Sequence, residues 1–404
     1  MGLETLRVRL HALAFVDEFG PLYALFTLWF IDNGVTTAQL SVVFVMWAGL
    51  AIALEIPSGA LADRIDRRVL LAAAFGIRAV GIAAWLVWPT FGGLLAGALL
   101  WAIHDALASG AWEAMIHDQL DAIGQAEAYG RVMARVGQWS HLGLAGGAAL
   151  AAGLARIGTS IEVIGWINVA IHGGSILLVL VLPDVRWVAD TDAAAGSDAG
   201  ERGPVAEWWR TLRAGVSTAR RRRDVARLVV MGALIEGLFI VDEYVPVMAR
   251  LRGASNTVVA IVVLAVWAGL LIGGEVAARR PDLRGPQLGT LLAVGSFGML
   301  VAVVTQPVWT LLLVGAGYGA LEATWVVSDA RFQAAIPSRT RATVTSVRSF
   351  NGGLIAAAAF GTIGWLATGD DPSPGLVIGV AALIGTGVLV TRWLPAPRAD
   401  TISA

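Results

Sequence analysis

Apolar runs of about 20 residues recur along the whole 404-residue chain, and each is long enough for one helical crossing of a bilayer's hydrocarbon. With 57% hydrophobic and 15% charged residues, the chain reads as an all-α integral membrane protein. The runs fall near 12–31, 38–59, 69–88, 91–113, 136–155 and 161–182, and again near 227–247, 257–277, 287–305, 308–330, 343–367 and 374–394. Twelve crossings are therefore expected.

Arginine placement orients them. The stretches DRIDRR, YGRVMAR, ARRRRDVAR, AARRPDLR and PSRTRATVTSVR fall on one side with both termini, and only Arg156, Arg250 and Arg252 fall opposite. By the positive-inside rule the arginine-rich side and both termini are cytoplasmic. Expected domains are a six-helix bundle over 1–183, a cytoplasmic linker over 184–226 that ends in a basic helix, and a second bundle over 227–404 with a short tail. The first apolar segment holds Asp17 and Glu18 and lacks a cleavage site, so it is expected to stay in the membrane.

The two halves echo each other. FVDEFGPL (residues 15–22) returns as IVDEYVPV (240–247), and WAGLAIALEI (47–56) returns as WAGLLIGGEV (267–276). Matched blocks in corresponding helices, in the same order, point to duplication, with a pseudo-twofold axis along the membrane normal. Such parallel repeats pack with a substrate site between them near the midplane, which favours a transporter.

After Glu55 the chain continues IPSGALADRIDRRVLL. This resembles the loop between helices two and three of the major facilitator superfamily, and the resemblance extends over essentially the whole chain. It implies a cytoplasmic gate built on Gly59, Asp63, Arg64, Arg67 and Arg68, with Asp66 where the family usually has glycine. SGAWEAMIHDQL (109–120) followed by YGRVMAR is similar to a pattern in bacterial drug-efflux-like members. It suggests a supporting network of Glu55, Glu113, Asp118, Arg131, Arg135 and Glu275. The glycine-proline-glycine-glycine element of many antiporters is replaced by GLAGGAALAAG (143–153), read as a close-packing surface of small residues. All the basic residues are arginine, which with the wealth of alanine and glycine suggests a GC-rich bacterial genome and a multi-pass place in the bacterial inner (plasma) membrane.

In that family helices one, four, seven and ten line the cavity, and here they carry Asp17, Glu18, Asp105, Asp242, Glu243 and Glu322. A charged carboxylate at the bilayer centre costs about 2.5–3.5 kcal/mol, so these groups are expected to face the interior or hold protons. Desolvation and a like-charged neighbour both favour the protonated form, the behaviour proton coupling needs. Pro21 and Pro246 lack an N–H, which frees the carbonyls of Asp17 and Asp242 and is expected to leave them bare beside the carboxylates. Glu236 precedes Glu243, and His11 precedes Glu18, by seven residues on the same helical face, a route for protons toward the cytoplasm. Arg78 is expected at a peripheral helix as a structural counter-charge, and Arg348 at the interface. Trp101, Trp112 and Trp325 are candidates for stacking on a ligand. His141, His172, Asn168 and Asn351 are expected to make interhelical hydrogen bonds.

The chain has no cysteine, which excludes thiolate metal sites and thiol catalysis. HExxH, GxSxG and phosphate-loop motifs are absent, so no enzyme is expected. The resulting expectation is a monomeric, proton-coupled transporter that expels cationic or neutral amphipathic drugs or metabolites. Its partners are a small-molecule substrate, protons and the lipid bilayer, with no cofactor, metal or nucleic acid. The alternatives are a proton symporter importing a small neutral or cationic nutrient, and a non-transporting sensor on the same fold.

Overall fold

The computed structural model describes residues 2–62, 65–180, 223–336 and 338–397, with the backbone alone at 52, 55–62, 110, 338–340 and 342. Among them the secondary structure is helical, apart from one isolated bridge between Thr368 and Asp371. Seven helices come first: α1 (Leu3–Glu18), α2 (Phe26–Asp32), α3 (Thr37–Ala62), α4 (Arg67–Val87), α5 (Phe91–Ala122), α6 (Tyr129–Arg156) and α7 (Ile161–Leu180). Seven follow: α8 (Arg223–Gly237), α9 (Val245–Leu251), α10 (Asn256–Arg279), α11 (Gly285–Val304), α12 (Leu312–Ala335), α13 (Ser338–Leu366) and α14 (Ser373–Trp393). Eight of the described helical stretches are long and apolar enough to cross a membrane. The linker expected over 184–226 lies outside the described residues as far as 222.

Helices outrun the apolar runs on the arginine-rich side. α1 begins at Leu3, and α5 continues to Ala122. Hydropathy marks only the lipid-immersed stretch, whereas a helix goes on into water until a cap or turn ends it. At α4 that cap is Asp66, whose carboxylate accepts from the Arg68 and Val69 N–H groups. The residue that departs from the family pattern thus starts the helix.

The expected first and seventh crossings are each two helices joined by a tight turn. α1 stops at Glu18, a 3-10 turn runs Pro21–Ala24, and α2 resumes at Phe26. In the repeat, α8 ends at Gly237, Asp242–Tyr244 forms the turn, and α9 begins at Val245 with Pro246 in its first turn. Proline without an N–H is tolerated at such a helix start and not within a helix.

The GLAGG stretch of α6 receives the first break. A Cβ on Gly147 would come within 2.9 Å of the Gly20 backbone, so only glycine lets the two chains touch. Side chains of α7 hold the same break from the other side. The Leu22 N–H donates to Asn168 Oδ1 at 3.0 Å, and the Tyr23 hydroxyl lies 2.6 Å from His172 Nε2. Asn351, in contrast, donates to the Val347 carbonyl of its own helix. The two halves of the chain meet where α3 packs on α13 and α6 packs on α10.

Candidate functional site: a carboxylate and indole cavity between the halves

A cavity of about 350 Å³ opens between the two sets of helices, and both broken crossings contribute to its wall. Glu18, Asp105, Asp242 and Glu243 line it together with Arg78 and the indoles of Trp47, Trp85, Trp101 and Trp267. The Trp47 and Trp267 pair comes from the matched WAGL blocks. Phe26 stacks on Trp85 with centroids 5.2 Å apart, Trp85 on Trp101 at 5.4 Å, and Tyr23 lies 4.8 Å from Trp101. One wall is therefore a continuous aromatic face.

Arg78 belongs to the site and not to the periphery. Only 4% exposed, it reaches from α4 into the break of the first crossing. Its Nη1 donates at 2.8 Å to both the carbonyl and the carboxylate of Asp17. Nη2 lies 3.8 Å from Glu18 Oε1 and 3.8 Å from Asp105 Oδ1, and the guanidinium carbon sits 5.0 Å from the Trp101 ring centre. The carbonyl that Pro21 leaves without a helical donor is satisfied by a side chain 61 residues away. The Asp17 carbonyl is not bare, because a buried acceptor draws in whatever donor the fold can supply.

The Asp242 carbonyl is not bare either, since it accepts the Val245 N–H inside the turn. The Asp242 carboxylate is held differently from that of Asp17. Tyr318 of α12 donates its hydroxyl to Asp242 Oδ1 at 2.6 Å and accepts the Asp242 N–H at 2.9 Å. Among the described residues no arginine or histidine lies within ion-pairing distance of Asp242 or Glu243, and Glu243 faces the cavity without a hydrogen-bond partner.

Glu322 departs from expectation. It is buried on α12 where that helix crosses Gly273 of α10, and it is not among the residues lining the cavity. Arg348 is not interfacial. It is 6% exposed, pairs with Asp329 and with Glu236 at 3.5 Å, and lies over the rings of Trp325 and Phe332. Glu236 and Trp325 are thus engaged away from the cavity. His11 stacks on Trp139 at 5.6 Å, and Trp112 packs into the core between α1, α4 and α5.

Of the expected gate residues, Asp63 and Arg64 lie outside the described residues, as do Glu55 and Gly59 beyond their backbone. Arg67 pairs with Asp118 and donates to the Ala114 carbonyl at 3.2 Å, which ties α4 to α5. Arg68 is engaged as well. Arg135 reaches across the halves to Glu275 at 3.9 Å, and Glu275 also meets Arg279 at 2.8 Å. Glu113 and Arg131 are exposed.

The end of the cavity away from the arginine-rich loops is shut by contacts between the halves. Asp370 Oδ1 accepts the Thr37 N–H at 2.9 Å, and the Thr37 hydroxyl donates to the Asp370 carbonyl at 2.7 Å. Arg250 meets Asp32 at 3.2 Å, and the hydroxyls of Ser41 and Tyr244 are 2.7 Å apart. Sequence reasoning missed Tyr318, Ser41 and Asp370, which are ordinary polar residues whose partners come from distant segments.

Known proteins agree with this architecture. No curated protein sequence matches the chain. The structure of the nucleoside transporter NupG superposes with a TM-score of 0.70 at 13% identity, covering 97% of this chain and 100% of that one. A D-xylose-proton symporter gives 0.67 at 16% identity, with 97% of each chain covered. A bacterial homolog of the human lysosomal transporter Spinster, inward-facing and unoccupied, gives 0.61 at 16% identity over 97% of this chain and 95% of that one. At such identities the likeness establishes the fold. The family model described as Major Facilitator Superfamily matches residues 10–361, and the chain, a multi-pass membrane protein with a transporter fold, belongs to that superfamily.

Proposed function

We propose that this protein is a proton-coupled secondary transporter of organic cations, with efflux by antiport as the leading direction. Its twelve crossings form two six-helix bundles, with both termini and the arginine-rich loops in the cytoplasm of a bacterial inner membrane. One observation carries the reading: among the described residues, four carboxylates line a cavity between the halves and the single lining arginine is already bonded to Asp17. Acidic groups held out of bulk water require either protons or a cation beside them. A cationic substrate and protons then compete for the same carboxylates, and release of one follows arrival of the other.

Asp17, Glu18, Asp105, Asp242 and Glu243 are the groups we assign to that exchange, while Glu322 stands outside it as a helix-packing acid. The bonds between Thr37 and Asp370 support a state closed at the end away from the arginine-rich loops. The pairs Arg67–Asp118 and Arg135–Glu275 support the proposed cytoplasmic gate. Import by proton symport is the second reading, favoured by the fold shared with a D-xylose-proton symporter.

The test is proton release from unbuffered purified protein in detergent when ethidium is added. Wild type is compared with a variant carrying Asp17→Asn, Glu18→Gln, Asp242→Asn and Glu243→Gln. Release by wild type that is lost in the variant is expected. Ethidium binding by wild type without release of protons would defeat the competition.

A further inference from the structure

The duplication lets the two walls of the cavity be compared residue by residue. Asp17 and Glu18 answer to Asp242 and Glu243, and Trp47 answers to Trp267. Counted from the starts of their helical segments at Phe91 and Val308, Trp101 and Asp105 answer to Tyr318 and Glu322. Counted from the N-caps Asp66 and Arg284, Arg78 answers to Ser296.

The two walls share the acidic pair and one indole, and they differ most in charge, since Trp101 answers to Tyr318, Glu322 lies off the cavity and the guanidinium has no counterpart. In the first wall a guanidinium is already in place, bonded to Asp17, 3.8 Å from Glu18 and resting over an indole. In the second wall a serine stands at the matching position, buried and with its hydroxyl unpartnered among the described residues. Tyr318 holds Asp242, and among the described residues no side chain neutralises Glu243. The protein thus carries, in its own first half, an example of a planar cation held between an acidic pair and an indole.

We propose that the cation-recognition subsite is Glu243 with the Trp267 face of the second half, and that it takes one small planar monocation of the guanidinium or amidinium class borne on an aromatic ring. The proposal rests on the cation-transport reading above and assigns that reading's substrate. One charge follows from one carboxylate without a partner. Planarity follows from the resident guanidinium over Trp101 and from the stacked wall of Phe26, Trp85 and Trp101, on which a delocalised cation gains both charge and ring contact. Small size follows from a cavity of about 350 Å³, at the lower end of what drug-sized ligands occupy. Glu18 lines the same space but ranks behind Glu243, because Arg78 stands 3.8 Å from it.

Phenylguanidinium is the probe and phenylurea, its neutral counterpart of similar shape, is the control. Both are titrated calorimetrically into the full-length protein in nanodiscs, with proton release recorded in parallel. Glu243→Gln is expected to weaken phenylguanidinium binding by roughly 30-fold or more, since removing one partner of a desolvated charge pair is costly. Glu18→Gln is expected to weaken it less than Glu243→Gln does, and phenylurea to bind far more weakly than the cation. Trp267→Leu, which leaves every charge in place, is expected to cost about 10-fold through loss of the ring face. Thermal melting of each variant separates misfolding from lost recognition.

Equal losses at Glu18 and Glu243, equal binding of phenylurea, or no binding of phenylguanidinium at millimolar concentration would each overturn the assignment. The two readings fail separately. If Glu243→Gln binds as wild type does and protons are still released, the subsite is wrong and proton competition stands. If Glu243→Gln destroys binding while wild type releases no proton, the subsite stands and proton competition falls.

Discussion

Arg78 is the residue on which the first half of the cavity depends. An arginine in the apolar middle of α4 is tolerated because Asp17 supplies both a carboxylate and an orphaned carbonyl, and Glu18 and Asp105 complete the shell. Arg78→Gln removes the positive charge and leaves the acids to repel one another. A loss of about 3 kcal/mol or more is expected, the usual cost of breaking a buried charge pair from one side. Arg78→Lys keeps the charge but lacks the planar fork that serves the carbonyl and carboxylate together, so it should fall between glutamine and wild type. Thermal unfolding in detergent ranks the three. The deficit of the glutamine variant should shrink as pH falls, because protons then supply the charge that the guanidinium no longer does. An unchanged deficit from alkaline to acidic pH would mean that Arg78 stabilises by packing alone.

At the scale of single elements, the broken first crossing works because α6 offers it a surface without side chains. Gly147→Ala sets a methyl within 2.9 Å of the Gly20 backbone, which has no rotamer by which to move away. Overpacking of this kind costs about 1–3 kcal/mol, and a lower melting temperature is expected. Gly153→Ala, on the same helix with nothing within 4 Å of the added methyl, serves as the control. If Gly147→Ala melts as wild type does, the contact is looser than the close approach implies. These glycines were legible in the sequence as a packing surface, and the repeated proline was legible as a break. What lay on the other side of each was not. Spacing rules connect residues one or two turns apart on a helix, whereas Asp17 and Arg78 are 61 residues apart and Asp242 and Tyr318 are 76 apart. An intramembrane arginine announces that some acid must meet it, but only the packing of α4 against α1 and α5 decides which. Tyr318 announces nothing, since a tyrosine in an apolar helix is as well explained by the core. Glu322 misled for the opposite reason: an acid on a helix expected to line the cavity lies on the face that packs against α10, and hydropathy does not report which way a helix is turned.

Across the whole molecule, the seal at one end of the cavity is made of few bonds, and all of them join the two halves. Asp370 sits in the left-handed region at φ 66°, unusual for any residue but glycine, and caps the start of α3 from the other half. Thr36 and Gln39 bond reciprocally on the same turn of α3, so the Asp370 bond is an addition that α3 does not need for its own start. Bonds that a helix can forgo are suited to breaking and reforming as the halves rock. The native chain has no cysteine, so the pair Thr37→Cys and Asp370→Cys reports on this contact without background. Each side chain bonds the other residue's main chain, so the two positions face each other across the seal. Oxidation is expected to cross-link the pair within one chain and to reduce transport of a cationic probe by at least about 10-fold, with recovery on reduction, as gating motions require both arrangements. Each single-cysteine variant should ignore the oxidant. Full cross-linking with transport at the uncross-linked rate would mean that the cavity fills and empties without parting Thr37 from Asp370, and that the halves separate only at the arginine-rich end.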